Sequence, residues 1–180
     1  MALNMNKLTE KAQEALVAAQ NLAQELHQGA IEPEHLLAAL LEQSEGVVPQ
    51  IVSGTGANPE VLERQVRTEL DKLAKAYGSS MQVGMSQRLS RVLDNAQNVA
   101  NSLKDEYVST EHFLIALAES DGAAARILNQ AGITRDKILQ ALTSIRGNVG
   151  GRPTDADVWP GAGIAQRDRR RPVQRSVVLT

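Results

Sequence analysis

Two Glu-His pairs are where this chain of 180 residues could do chemistry: Glu34-His35 and Glu111-His112, each leading into an apolar run. A carboxylate and an imidazole are the raw material of an acid-base pair, a metal shell or a cation site. Neighbouring residues on a helix point in different directions, so adjacency alone makes no acid and base pair. The metal reading lacks ligands, because none of His27, His35 and His112 lies four residues from another and there is no Cys to complete a zinc shell. His35 and His112 therefore read as polar packing residues near an internal axis. No activated Ser is identifiable. No G-x-x-x-x-G-K-[ST] loop is present to cradle phosphates, nor an acidic strand to hold magnesium, so the chain is not expected to hydrolyse ATP. The sequence reads as non-enzymatic and without a cofactor. The remaining cluster, Arg167 to Arg171, reads either as a nucleic-acid or phosphate contact or, more simply, as a solvated basic run.

Composition narrows the function classes. Hydrophobic residues make up 42% and charged residues 22%, which is the balance of a folded core. The formal charge of -2 gives no general attraction to nucleic acid or to an anionic membrane. Tyr77, Tyr107, Phe113 and Trp159 are the whole aromatic complement, too few for a surface on which bases stack. The absence of Cys fits a reducing compartment, with the cytoplasm as the expected location. Met1 to Lys11 lacks the apolar run of a signal peptide, and the longest apolar run, Leu36 to Leu41, falls far short of the roughly 20 residues that span a bilayer.

The elements that must position the Glu-His pairs come in two copies. Shifted by 77, the chain overlays Leu16, Ala19, Gln20, Asn21, Ala23 and Leu26 on identical residues from Leu93 to Leu103. The same shift carries Glu34, His35, Leu37, Ala39, Leu40 and Glu42 onto Glu111, His112, Leu114, Ala116, Leu117 and Glu119. After a slip to 76, Gly46, Ile51, Gly56, Leu62 and Val66 face Gly122, Ile127, Gly132, Ile138 and Leu142. The apolar spacing is helical: Ala12, Ala15, Leu16, Ala19, Leu22, Ala23 and Leu26 form one stripe, repeated by Leu89, Val92, Leu93, Ala96, Val99, Ala100 and Leu103. Thr9, Ser86 and Thr134 are candidate N-caps, and Pro33 and Asn58-Pro59 open two further helices. The pattern predicts helices near 9–27, 33–43, 46–53, 58–76, 86–104, 110–120, 122–130 and 134–146. Sustained alternation is missing, so no sheet is expected. The expected fold is all-α: two four-helix repeats, about 6–76 and about 84–146, packed about a pseudo-twofold axis into one domain over 1–148. Tyr77 to Gly84 reads as a flexible surface loop joining them.

The segments LTEKAQEALVAAQNLA, IEPEHLLAALLE, YVSTEHFLIALAES, ARILNQAGI and ALTSIRGN resemble the double Clp N-terminal repeat, most closely that of the ClpB-type disaggregase family. The resemblance runs from Asn6 to about Asn148. It implies a domain that binds unfolded or aggregated polypeptide for a hexamer of ATPase domains, working with a cooperating chaperone system. Residues 149–180 depart from that pattern: six Arg and three Asp give them +3 and leave -5 for residues 1–148. They read as a disordered basic tail or an out-of-frame extension.

Gripping a disordered guest calls for exposed apolar area plus carboxylates for its basic residues or amides. The resemblance implicates Thr9, Asp105 and Glu111. Each has a plainer reading: Thr9 as an N-cap, Glu111 as an acidic group favoured at a helix start, Asp105 as a loop charge at a helix end, a poor place for an anion. For the apolar part the candidates are Leu93, Val99, Phe113 and Leu114, with core packing as the alternative for each. Phe113 is the most suggestive, because it stands where the first repeat has Leu36 and so breaks the symmetry at an aromatic. A second reading is an adaptor or degron receptor of ClpC or ClpA type, in which Glu34 and Glu111 together recognise phosphoarginine. Equal involvement of Glu34 would favour it. The isolated chain is expected to be a monomer, with no membrane or nucleic-acid partner.

Overall fold

Short polar side chains start the helices where the sequence places them. Thr9 accepts from the Ala12 amide at 3.3 Å and Ser86 from the Leu89 amide at 3.1 Å, opening α1 (Glu10–Glu25) and α5 (Gln87–Ser102). Pro33 begins α2 (Pro33–Glu42), whose counterpart is α6 (Thr110–Ala118). The shorter α3 (Val47–Gly54) and α7 (Ala123–Gln130) follow, then α4 (Pro59–Asp71), capped by Asn58, and α8 (Arg135–Asn148). This is a computed structural model, and it describes residues 3–78 and 82–148. The middle of the expected connecting loop and all of residues 149–180 lie outside the described residues. The fold is all-α, with the repeat arrangement the sequence predicts. α4 ends at Asp71, short of expectation, because the chain then turns back and donates the Ala76 amide to the His27 carbonyl at 2.7 Å.

Two small pieces of β structure correct the expectation of none. The segment before α5 pairs with the segment before α2, as β1 (Ala30–Ile31) and β2 (Gly84–Met85) in parallel. At the equivalent place Leu8, just before α1, bridges in parallel to Val108, just before α6. Each repeat thus hands its leading segment to the other. Runs this short carry no alternation, which is why the sequence does not announce them.

α2 and α6 form the centre of the core, with Leu36, Leu37, Leu40, Phe113, Leu114, Ile115 and Leu117 all fully buried. The outer helices are not symmetric about them. α4 packs chiefly on α2 of its own repeat, whereas α8 lies mainly along α3 of the other repeat and touches α6 less. Gly54 permits this, since a Cβ added there would stand 3.3 Å from the Cβ of Ala141. At the mirror contact of α4 with α7 the matched positions are Gln65 and Gln130, which line a cavity of about 280 Å³.

A carboxylate pocket in the second repeat

Both Glu-His pairs sit in the first turn of a central helix, and both imidazoles reach back to their own helix start. His35 Nδ1 accepts from the Glu32 amide at 2.8 Å, and His112 Nδ1 accepts from the Ser109 amide at 2.9 Å. They are N-terminal caps as well as buried packing groups, a role that a His three residues after the cap position signals in sequence. Burial pushes His35 down to about 4 and lowers His112 as well, the latter against a hydrogen bond to Asp105 that favours its charged form.

Beyond this shared frame the repeats diverge at matched positions. In repeat 1 the outer nitrogen of His35 meets Gln28 Oε1 at 2.5 Å, and the Gln28 amide donates to the Leu70 carbonyl of α4 at 2.6 Å. The network is neutral and sealed, with Gln28 2% exposed. In repeat 2 Gln28 becomes Asp105 and Leu70 becomes Arg146, on the α8 helix that leans away. His112 Nε2 donates to Asp105 Oδ2 at 2.8 Å, and the Asp105 side chain is 41% exposed. That bond answers the unfavourable helix-end position of Asp105: the anion holds an imidazole N–H.

Glu111 lies beside Asp105 and His112 and is itself 2% exposed. Burial raises its carboxyl to about 7; the Ser109 hydroxyl and the Arg146 charge pull the other way and Asp105 adds repulsion. Among the described residues its Oε2 has no hydrogen-bond partner. The structure also brings Glu111 Oε1 to 4.0 Å from His112 Nε2, so the pair does not diverge as helix geometry suggests, although no hydrogen bond joins them. Thr9 caps α1 beside the pocket, its amide donating to the Val108 carbonyl at 3.0 Å. The structure therefore gathers Thr9, Asp105 and Glu111 around the Leu8–Val108 crossing.

Asp105, Glu111 and His112 place three potential ligand atoms within 4.8 Å of one another. The donor set nonetheless does not fit a metal. With Nδ1 accepting a backbone N–H, the neutral imidazole carries its proton on Nε2, the nitrogen that faces the carboxylates, and no lone pair is left there.

The apolar candidates need correction. Leu93, Val99, Phe113 and Leu114 are each at most 2% exposed and belong to the core. Phe113, where the first repeat has Leu36, is fully buried and offers a guest no surface. Exposed apolar area near the pocket comes instead from Met5, in the short 3-10 turn (Met5–Lys7) that leads to Thr9, with Tyr107 part-buried beneath Lys7.

Glu34, the counterpart of Glu111, is engaged. Arg88 of α5 donates to Glu34 Oε1 at 2.8 Å and to Glu32 Oε2 at 3.2 Å, and the Ala124 amide at the start of α7 also approaches Glu34 Oε1, at 3.4 Å. The position in α1 that matches Arg88 is Lys11, which pairs with Glu14 at 3.1 Å. Sequence reasoning missed Arg88 because its partners are 54 and 56 residues away.

Residues 7–131 match the Clp repeat N-terminal domain family. A chaperone protein ClpB of Corynebacterium diphtheriae is 40% identical over 141 residues, 78% of this chain and 17% of that protein. The chain spans less than a fifth of the length of the curated relatives it matches. The N-terminal domain of Hsp104 from Candida albicans superimposes with a TM-score of 0.68 at 26% identity, over 78% of this chain and 92% of that one. A ClpV N-domain solved in complex with a VipB peptide shares the fold, with a TM-score of 0.61 at 18% identity over 76% of this chain and 89% of that one.

Proposed function

This chain belongs to the Clp repeat N-terminal domain family, and from that premise we propose that it captures exposed segments of unfolded or aggregated polypeptide at the Thr9, Asp105 and Glu111 pocket. The observation that carries the reading is Glu111: a buried carboxylate with one oxygen unpartnered, behind a half-exposed Asp105. Burying a carboxylate without satisfying it is costly, and a cation or amide from a guest relieves that cost. Met5 and Tyr107 supply apolar contact at the rim. The peptide complex of the ClpV N-domain lends support, since it shows that this fold can hold a peptide. In a full-length ClpB-type protein, weak capture multiplied over a hexamer would raise the local concentration of guest near the ATPase motor without holding it too long to thread.

The degron-receptor reading needs Glu34 and Glu111 to be open alike. Arg88 on Glu34 speaks against it. The deciding experiment is fluorescence anisotropy of a labelled, permanently unfolded protein titrated with the full chain, with the Asp105→Ala, Glu111→Ala double variant, and with free phosphoarginine as competitor. The expected result is binding that the folded double variant loses by about tenfold or more, the equivalent of about 1.4 kcal/mol, and that phosphoarginine does not disturb. Competition by phosphoarginine would move the reading to a degron receptor, and undiminished binding by the double variant would remove the pocket from it.

A further inference from the structure

We propose that the cavity between α5 and the end of α6 in repeat 2 is a slot for a primary carboxamide, the side chain of a glutamine or asparagine on another polypeptide. Repeat 1 shows what fits. At its matched place, the end of α2, the Gln43 side chain turns inward and its Nε2 donates to the Lys11 carbonyl of α1 at 3.0 Å. Gly46 leaves space for that turn, since a Cβ there would lie 2.9 Å from Gln43 Cβ and 3.0 Å from its Oε1. The slot of repeat 1 is thus filled in cis by a carboxamide.

In repeat 2 the filler is missing. Ser120 stands at the position of Gln43, and its hydroxyl donates back to the Leu117 carbonyl at 2.7 Å. The loop is also a residue shorter: Gln43, Ser44 and Glu45 lie between Glu42 and Gly46, but only Ser120 and Asp121 between Glu119 and Gly122. What remains is a cavity of about 230 Å³ whose lining includes Arg91, Asn95 and Ser120. The lining answers a defect of the filled slot. Gln43 Oε1 is buried with no hydrogen-bond partner among the described residues. Arg91 and Asn95 stand where α1 has Glu14 and Ala18, neither of which can donate from its side chain. Repeat 2 therefore offers N–H donors to a carboxamide oxygen, and the Arg88 carbonyl is the match of the Lys11 carbonyl that accepts the amide in repeat 1. A primary carboxamide uses both, whereas a carboxylate has no N–H to give. The lining carries two cations, Arg88 and Arg91, and two anions, Glu119 and Asp121, so no net local charge selects an ion over this neutral group.

The slot stands apart from the capture reading, since its probes are small amides and its variants leave Thr9, Asp105 and Glu111 untouched. The experiment titrates propionamide, which has the shape of a glutamine side chain, into the ¹⁵N-labelled full chain, its Ser120→Gln variant and its Asn95→Ala variant. Propionate and N-methylacetamide are the controls, and an Ala-Gln-Ala peptide blocked at both ends presents the same group on a polypeptide. The expected result is a saturable shift of the Ala116 and Ser120 backbone amides and the Asn95 side-chain amide in the parent, with propionamide and with the peptide. It should be lost in Ser120→Gln, whose longer side chain fills the slot as Gln43 does, and be weaker by about fivefold or more in Asn95→Ala. Both controls should bind at least about tenfold more weakly than propionamide. No saturable shift in the parent, or one that survives in Ser120→Gln, would overturn the slot. An equal response to either control would overturn the side-chain carboxamide as its ligand, and a response to propionamide without one to the peptide would overturn the polypeptide as its source. Should Ser120→Gln fail to fold, Asn95→Ala decides, and unchanged affinity there overturns the slot.

Discussion

The two repeats place the same Glu-His pair on the same turn of the same helix and then use it in opposite ways. In repeat 1 the side chains around the pair have partners: His35 meets Gln28, Gln28 the Leu70 carbonyl, and Glu34 Arg88. In repeat 2 the positions of Gln28 and Leu70 hold Asp105 and Arg146, and the α1 position that matches Arg88 is Lys11, paired with Glu14; the result is a charged cluster with an exposed Asp105 and a Glu111 oxygen that has no hydrogen-bond partner among the described residues. Three substitutions and the lean of α8 separate a sealed neutral network from a charged, partly exposed one. A duplicated fold can thus keep one copy for stability and leave the other free to carry a costly arrangement.

The largest test of that contrast is to neutralise the matched carboxylates. With Glu111 raised from about 4.5 to about 7, the folded state holds a proton that the unfolded chain releases, so this group erodes stability as pH climbs between those values. Glu111→Gln should therefore be more stable than the parent at pH 8, by roughly 3 kcal/mol at most, with the difference vanishing below about pH 4.5. Glu34→Gln should do the reverse and destabilise at neutral pH, because it removes the partner of Arg88. Urea unfolding at pH 4.5 and pH 8 reads both, and changes of the same sign would break the comparison. His35, held near 4, titrates in the opposite direction between about pH 4 and pH 6.5 and cancels in the Glu111→Gln difference, whereas Glu34→Gln removes a charge that favours protonated His35 and lowers it further.

A second test exchanges the cations. Arg88→Ala should cost about 2 kcal/mol, the penalty for an unpaired buried carboxylate reduced for the exposure of the guanidinium. Its counterpart Lys11→Ala should leave the urea midpoint unchanged, since the Lys11–Glu14 pair is at the surface. The smallest effect sharpens the contrast further. Thr9→Ala and Ser86→Ala remove equivalent caps and should each cost about 1 kcal/mol, yet only Thr9→Ala should weaken capture of an unfolded protein in the anisotropy assay. Equal effects on capture would mean the Thr9 contribution is structural alone.

Much of the scaffold was legible because its determinants are local. Caps at Thr9, Ser86 and Asn58, the proline at the start of α2 and the 3.6-residue stripes each act within a few positions, and the repeat shift follows from identities such as Leu37 with Leu114. The pocket was legible only as a set of names. That Asp105, Glu111 and Thr9 converge depends on the Leu8–Val108 crossing, a contact 100 residues long with no sequence period. That Glu34 is taken depends on Arg88, and that Phe113 is core and not anchor depends on volume left between two helices far apart in sequence. Helical stripes name a buried face, but a helix buried on every side such as α6 has no second face to show.

The crossed leading segments also bear on how the molecule is made. A helical domain ordinarily folds fast because its contacts are local, but here Leu8 must find Val108 and Ile31 must find Met85. Closing such loops is entropically slow, and neither repeat has its edge partner until the other exists. On a ribosome the first repeat would wait, incomplete, for the second to emerge. A chain cut between Gly78 and Gln82 should yield two halves that are poorly ordered apart and regain helical structure only when mixed, with a rate that depends on concentration.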